Sequence, residues 1–230
     1  MLFNTGNEKL DVFLSVTLLI VWIIALGVIS VYVARSYRKK LILSLFAPTN
    51  ADVTKLLRLT FGKNNVLKNV YLPLYDGDNV ISYIFADTIL LLPTCIVVMR
   101  LRSEAGLIYC DEGYDWHQSA RLSSGGTLET DFTDPIPLNR DAMTALRRIF
   151  AKAKLDEPQI RGMIVFTPKS VRFSSQRPGV YCLKDAYSGL RRLACGEKLP
   201  KGAVEEYRKL IFAKRVRKSV ADNYNIKKLT

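Results

Sequence analysis

The pattern of apolar and polar positions changes character along the chain. From Val12 to Ala34 no Asp, Glu, Lys or Arg interrupts a run of 23 residues. A helix rises about 1.5 Å per residue, so this run reaches across the roughly 30 Å hydrocarbon layer of a bilayer. It is apolar on every face, which core helices of globular domains rarely are. Its flanks are the reverse of a cleaved leader, because Glu8, Lys9 and Asp11 precede it and Arg35, Arg38, Lys39 and Lys40 follow it. The spacing predicts a single-pass anchor. By the positive-inside rule, residues 1–11 are expected outside and Arg35 onward in the cytoplasm, at the inner membrane.

Beyond the run the periods shorten. Lys39 to Phe46 continues the helix or lies on the membrane until Pro48 stops it. Asn50 is an N-cap candidate for a helix over Ala51–Phe61, with Gly62 at its end. Val66–Leu74 alternates as a strand, and Asp76-Gly77-Asp78 reads as a turn. Two dense apolar runs, Tyr83–Leu92 and Cys95–Leu101, are split by Pro93-Thr94 and predict a hairpin of buried strands. A third strand is expected at Gly106–Cys110, and a Gly/Ser-rich loop over Ser123–Asp131. Leu138–Leu155 is amphipathic, with Met143, Leu146, Ile149 and Phe150 on one face. Arg161–Thr167 predicts another strand, Gly179–Leu183 a short one, Ala186–Leu193 a helix, and 203–218 a basic helix. The order implies an α/β unit around one central sheet. The expected divisions are 1–11, an anchor at 12–34, a basic juxtamembrane segment at 35–49, a domain at 50–196 and a basic helical tail at 197–230.

Composition narrows the chemistry. The net charge of +13 over 230 residues favours anionic partners, either nucleic acid or acidic lipid headgroups. Four cysteines without a CxxC pair exclude a disulfide framework or zinc ribbon. Cys95, Cys110, Cys182 and Cys195, placed in the cytosol, are expected as thiols packed in the fold. The single histidine, His117, excludes multi-histidine metal sites and leaves no Cys–His pair in sequence proximity. No Walker or dinucleotide pattern occurs, and Gly125-Gly126 is too short for a phosphate loop.

Several segments, in order and spacing, resemble one family. They are Leu67-Lys68-Asn69-Val70-Tyr71-Leu72-Pro73, Ala86-Asp87-Thr88-Ile89-Leu90-Leu91, Pro93–Met99, Gly106-Leu107-Ile108, Trp116-His117-Gln118, Asp134-Pro135 with Leu138-Asn139, and Arg161–Phe166. Together they are similar to the nuclease-related domain, NERD, of the restriction-endonuclease-like fold. The resemblance implies a mixed central sheet flanked by helices. It also implies an Asp on one strand and Glu-x-Lys on the next, which in active relatives hold Mg²⁺ and activate water. Asp87 occupies the Asp position. Counted in register, Glu-x-Lys falls on Arg100-Leu101-Arg102. Arginine neither binds a cation nor acts as a base. The resemblance therefore implies a vestigial Asp87, no resident cofactor and no catalytic residue. The exception is a relocated carboxylate: Glu104, which shares the face of Arg102 if the strand continues, or Glu112. Mg²⁺ is expected only in that case.

Arg100 and Arg102 lie at i and i+2, on one sheet face. They suit either a bidentate phosphate contact or internal pairing with Asp87 and with Asp111 or Glu112. The resemblance implies that Gln118 faces the same cleft and that Trp116 packs beneath it. The tail adds ten basic residues against four acidic ones between 197 and 230. Lys214, Arg215, Arg217 and Lys218 cluster there and suit lipid headgroups or nucleic-acid phosphates, with Tyr207 and Tyr224 available to stack on bases. Three readings stay open. One is a membrane-anchored, inactive binder of nucleic acid or partner proteins, for example in a DNA-transfer or other envelope assembly. The second is an active metal nuclease, and the third a purely structural subunit of a membrane complex.

Overall fold

The computed structural model describes residues 8–45, 47–111, 115–122 and 125–229. Phe46 and Glu112 lie outside them, as do residues 1–7 of the segment expected outside the membrane. The chain divides into two units, Met1–Ile42 and Leu43–Thr230.

Most of the first unit is one helix. α1 runs Glu8–Ser44, and its Phe13–Ser44 stretch has a mean hydropathy of 2.7 in its most apolar window. Leu19, Trp22, Ile24 and Val28 stand exposed around it. It is long and apolar enough to cross a membrane.

The second unit is built on two sheets. α2 (Asn50–Phe61) starts one residue earlier than the sequence suggests. Thr49, not Asn50, is the cap: it and Asp52 satisfy each other's backbone N–H groups in a capping box. Then follow β1 (Val66–Asp76), β2 (Asn79–Leu91) and β3 (Ile96–Arg102), antiparallel neighbours in that order. β4 (Leu107–Tyr109), β5 (Trp116–Arg121) and β6 (Thr127–Phe132) form an antiparallel meander. α3 (Pro135–Lys152) begins at Pro135, capped by Asp134, which accepts from Ile136 N–H at 2.8 Å. β7 (Ile160–Phe166) returns parallel to β3, β8 is Arg172–Phe173, and β9 (Val180–Cys182) lies parallel to β7. α4 (Leu183–Leu193), α5 (Ala203–Lys214) and α6 (Lys218–Leu229) finish the chain.

The five-stranded sheet has the order β1-β2-β3-β7-β9. This is the expected mixed central sheet, but the expected third strand, β4, is not part of it: it joins a second, four-stranded sheet, β6-β5-β4-β8. Gly106 makes the transfer, at φ +80°. A Cβ there would lie 2.3 Å from the Ser119 carbonyl oxygen, so only glycine lets β4 meet β5. The loop expected over 123–131 is corrected as well, since Thr127–Phe132 pairs with β5 along its whole length.

Even positions of β3, Ile96 and Val98, pack under α3. Odd positions, Val97, Met99 and Leu101, pack under α2 and α4. The second sheet covers Ile164 and Phe166 of β7 with Ile108, Cys110 and Trp116. Residues after 197 are built into this unit rather than hanging from it. Tyr207 and Ile211 of α5 are buried in the core beside Phe150, and α6 clamps β2 through Asn225, which bonds both the N–H and the carbonyl of Tyr83. The predicted basic helix 203–218 is broken in two. Val216 leaves the helix to form a bridge with Tyr71.

Candidate functional site

The site lies where β2 and β3 part. Their register ends at Thr88↔Met99, and one further step sets Asp87 opposite Arg100. Here the alternation of β1 and β2 slips. Leu67, Ile89 and Leu91 enter the core under α3 from odd positions, Val70, Leu72 and Ala86 from even ones. Asn69, between paired Lys68 and Val70, takes φ +50°, a left-handed value asparagine tolerates. Such irregular steps re-aim a side chain. Asp87, across from Asn69, turns its carboxylate to β3. It accepts from Leu101 N–H at 3.2 Å and meets the Arg100 guanidinium at 3.7 Å. Both side chains are 13% exposed. Burial raises the Asp87 pKa above its ordinary value, against the lowering pull of the Leu101 N–H, Arg100 and Arg102.

Arg102 is the second cation on this face. It forms a two-pronged pair with Glu104, Nε to Oε2 at 3.0 Å and Nη2 to Oε1, and its guanidinium lies 5.0 Å over the Phe132 ring. Arg100 lies 5.8 Å over Phe85. β3 ends at Arg102, so Glu104 sits on the following turn, not on a continuing strand face. Buried Gln118 holds that turn by accepting from Ala105 N–H at 3.3 Å. Beneath, Trp116 is fully buried and stacks on Phe166 with centroids 6.1 Å apart. Asp111 does not join the arginines; it accepts from the Ser175 hydroxyl at 3.2 Å.

These residues do not fit a divalent cation. Asp87 is flanked by two guanidiniums, and the carboxylate of Glu104 is spent on Arg102. Among the described residues, no three of His, Cys, Asp and Glu gather to ligate one ion. A hard cation needs several oxygen ligands and a negative surround.

The basic residues of the C-terminal segment are not on the cleft strands. Lys214 closes α5, Arg215 lies 4.0 Å over Phe212, Arg217 lies in the break between the helices, and Lys218 opens α6. Yet their turn is close by. Val216 is bridged to Tyr71, whose ring packs 4.9 Å from Phe85, the ring under Arg100. The sequence carries no signal for this approach, which depends on the break between α5 and α6. The tyrosines expected to stack on bases are engaged elsewhere. Tyr207 is buried and donates to the Asp156 carbonyl at 2.9 Å, and Tyr224 donates to the Val80 carbonyl. His117 pairs with Asp131 at 2.8 Å on the second sheet. Cys95 and Cys110 are buried thiols, but Cys182 is half-buried and Cys195 exposed, so the expectation that all four pack in the fold is corrected for Cys195.

A mixed sheet flanked by helices makes this an α/β domain, compatible with a nuclease-like fold. Residues 49–167 match the nuclease-related domain family, NERD; this is more than half of the chain, and the chain belongs to that family. No curated protein and no solved structure matches it.

Proposed function

We propose that this NERD protein is a membrane-anchored, non-catalytic binder of nucleic-acid phosphates. Its binding face joins the Arg100–Arg102 cleft to the basic turn from Lys214 to Lys218. The observation that carries this reading is the bridge of Val216 to Tyr71. It brings a turn with four cations to within two aromatic rings of Arg100. Phosphates satisfy guanidiniums in two-pronged fashion, and cations on such a face release counterions on binding. The donor set supports a non-catalytic role: Arg100 stands where a metal-binding Glu is needed, and Glu104 pairs with Arg102. α1 serves as the anchor, with Arg35, Arg38, Lys39 and Lys40 at the cytoplasmic face of the inner membrane. Anionic headgroups are further partners of the basic segments.

A second reading, a protein scaffold in a membrane assembly, draws on one observation. Both cleft arginines already hold carboxylates of their own chain. The test is a titration of the full chain in neutral detergent with labelled single- and double-stranded DNA. It is run at low and moderate salt, with and without Mg²⁺ or Mn²⁺, beside a cleavage gel. The expected result is binding that falls steeply with salt, weakens at least about tenfold in Arg215→Glu with Arg217→Glu, and leaves the DNA intact. Metal-dependent cleavage that is lost in Asp87→Ala revives the nuclease. Neither binding nor cleavage favours the scaffold.

A further inference from the structure

A second basic site lies on the opposite face of the five-stranded sheet. α2 rests Val53, Leu56 and Leu57 on the core and turns Lys55 and Arg58 away from it. The turn at Lys63–Asn65 and the start of β1 add Lys63 and Lys68. With Ala51, Thr54 and Leu59 these residues line a groove of about 340 Å³. That volume is at the lower end of small-ligand sites, roughly 300–1,000 Å³.

The lining holds four cations and no carboxylate. Among the described residues none of the four makes a salt bridge. Asp52, one turn earlier on α2, accepts from the N–H and hydroxyl of Thr49 at 3.0 and 2.8 Å and, though it interacts electrostatically with Lys55, makes no salt bridge with it. Within the groove wall, Arg58 Nε is buried without a hydrogen-bond partner. A buried guanidinium N–H left unmatched marks a place for an acceptor. Three exposed lysines around it supply the charge that a phosphate requires, and Ala51 and Leu59 supply apolar wall beside it.

The groove residues begin at Ala51, two residues after the basic segment 35–49, which takes in the C-terminal end of α1 and the link to α2. The phosphates next to such a segment are those of the bilayer surface, which attract lysine and arginine within a Debye length. We infer that the α2–β1 groove binds the phosphate headgroup of an anionic phospholipid, held by Lys55, Arg58, Lys63 and Lys68. The choice of a lipid rests on the reading of α1 as an anchor; the anion site does not.

The full chain is purified in neutral detergent and given mixed micelles of phosphatidylglycerol or phosphatidylcholine with the same acyl chains. Retained lipid is counted by native mass spectrometry. Wild type is expected to prefer phosphatidylglycerol by at least tenfold. The preference is lost in Lys55→Ala with Lys63→Ala and Lys68→Ala, and kept in Lys154→Ala with Lys201→Ala and Lys209→Ala. All six lysines are exposed, so both variants keep the fold. Equal preference in the two variants overturns the site. Displacement of the lipid by inorganic phosphate at equal concentration overturns the lipid assignment in favour of a free phosphate. Displacement by a short DNA duplex, lost in the groove variant alone, overturns it in favour of nucleic acid. Alkaline carbonate extraction of native membranes separates the two readings: release of the protein defeats the anchor and the choice of lipid with it. Retention together with equal lipid preference in both variants defeats the groove alone.

Discussion

Two basic regions sit on opposite faces of one sheet and treat their charge differently. In the cleft, Arg100 and Arg102 are mostly buried, and each meets a carboxylate of its own chain. In the groove, Lys55, Lys63 and Lys68 are exposed and, among the described residues, make no salt bridge, although Lys55 lies within electrostatic reach of Asp52. Burial is the reason. A desolvated guanidinium without a partner is costly, so the cleft can carry arginines only with Asp87 and Glu104 beside them. Exposed lysines keep their hydration and need no partner inside the fold. The cleft is therefore a neutral, built structure with basic residues at its edge, and the groove an open electropositive surface.

The largest expected contrast lies in the floor. Trp116→Ala removes the fully buried ring that stacks on Phe166 beneath Phe132 and Arg102. It should cost about 3–5 kcal/mol in denaturant unfolding followed by circular dichroism. Lys63→Ala or Lys68→Ala in the groove should stay within about 0.5 kcal/mol. A groove lysine that matches the tryptophan would break the comparison.

Next comes the carboxylate. Asp87→Ala strips the acceptor from Leu101 N–H and the counter-charge from Arg100. About 1–3 kcal/mol should be lost at neutral pH. Asp87→Asn keeps an acceptor for Leu101 N–H and sheds the cost of burying a charge, so it should lose less than the alanine variant. Equal losses would mean that the charge pair, not the backbone contact, holds Asp87 in place.

The pH dependence sharpens the same point. Burial holds the Asp87 pKa above its ordinary 3.8. Between the ordinary and the raised value the folded protein keeps a proton that the unfolded chain has released. Stability from this group is therefore complete below the ordinary value and declines as pH climbs through the raised one. Urea midpoints across that window should fall for wild type and flatten in Asp87→Asn. Arg100→Met, by removing an attraction for the ionised form, should carry the decline to higher pH.

The smallest effect concerns Glu104. Glu104→Gln leaves Arg102 without its counter-charge. Affinity for DNA should rise severalfold and the log–log salt slope should steepen by about one. No change would place Arg102 outside the binding face.

Much of this architecture was legible in the chain. The unbroken apolar run gave α1, and the two runs around Pro93-Thr94 gave the buried ends of β2 and β3, Ile89–Leu91 and Ile96–Met99, where no polar position interrupts. β6 was not legible. Its residues Thr127–Thr130 are all exposed, so nothing in its pattern separates strand from loop, and pairing with β5 decides. The break at Arg215–Arg217 carries no proline or glycine; the bridge to Tyr71 makes it. In the cleft, the Asp87–Arg100 pair followed from strand register. The step at Asn69 and Asp87 that turns the carboxylate toward β3 did not, since it shows only when both strands are laid against the core.

The central claim is that arginine has taken the place of the metal ligand. Mn²⁺ binding to the full chain, measured by calorimetry, tests it most directly. It would be run on wild type and on Arg100→Glu with Arg102→Lys, which returns the family's Glu-x-Lys to β3. The account predicts no stoichiometric Mn²⁺ site at the cleft in wild type and a gain of binding in the double variant that depends on Asp87. Stoichiometric binding by wild type that disappears in Asp87→Ala would contradict it.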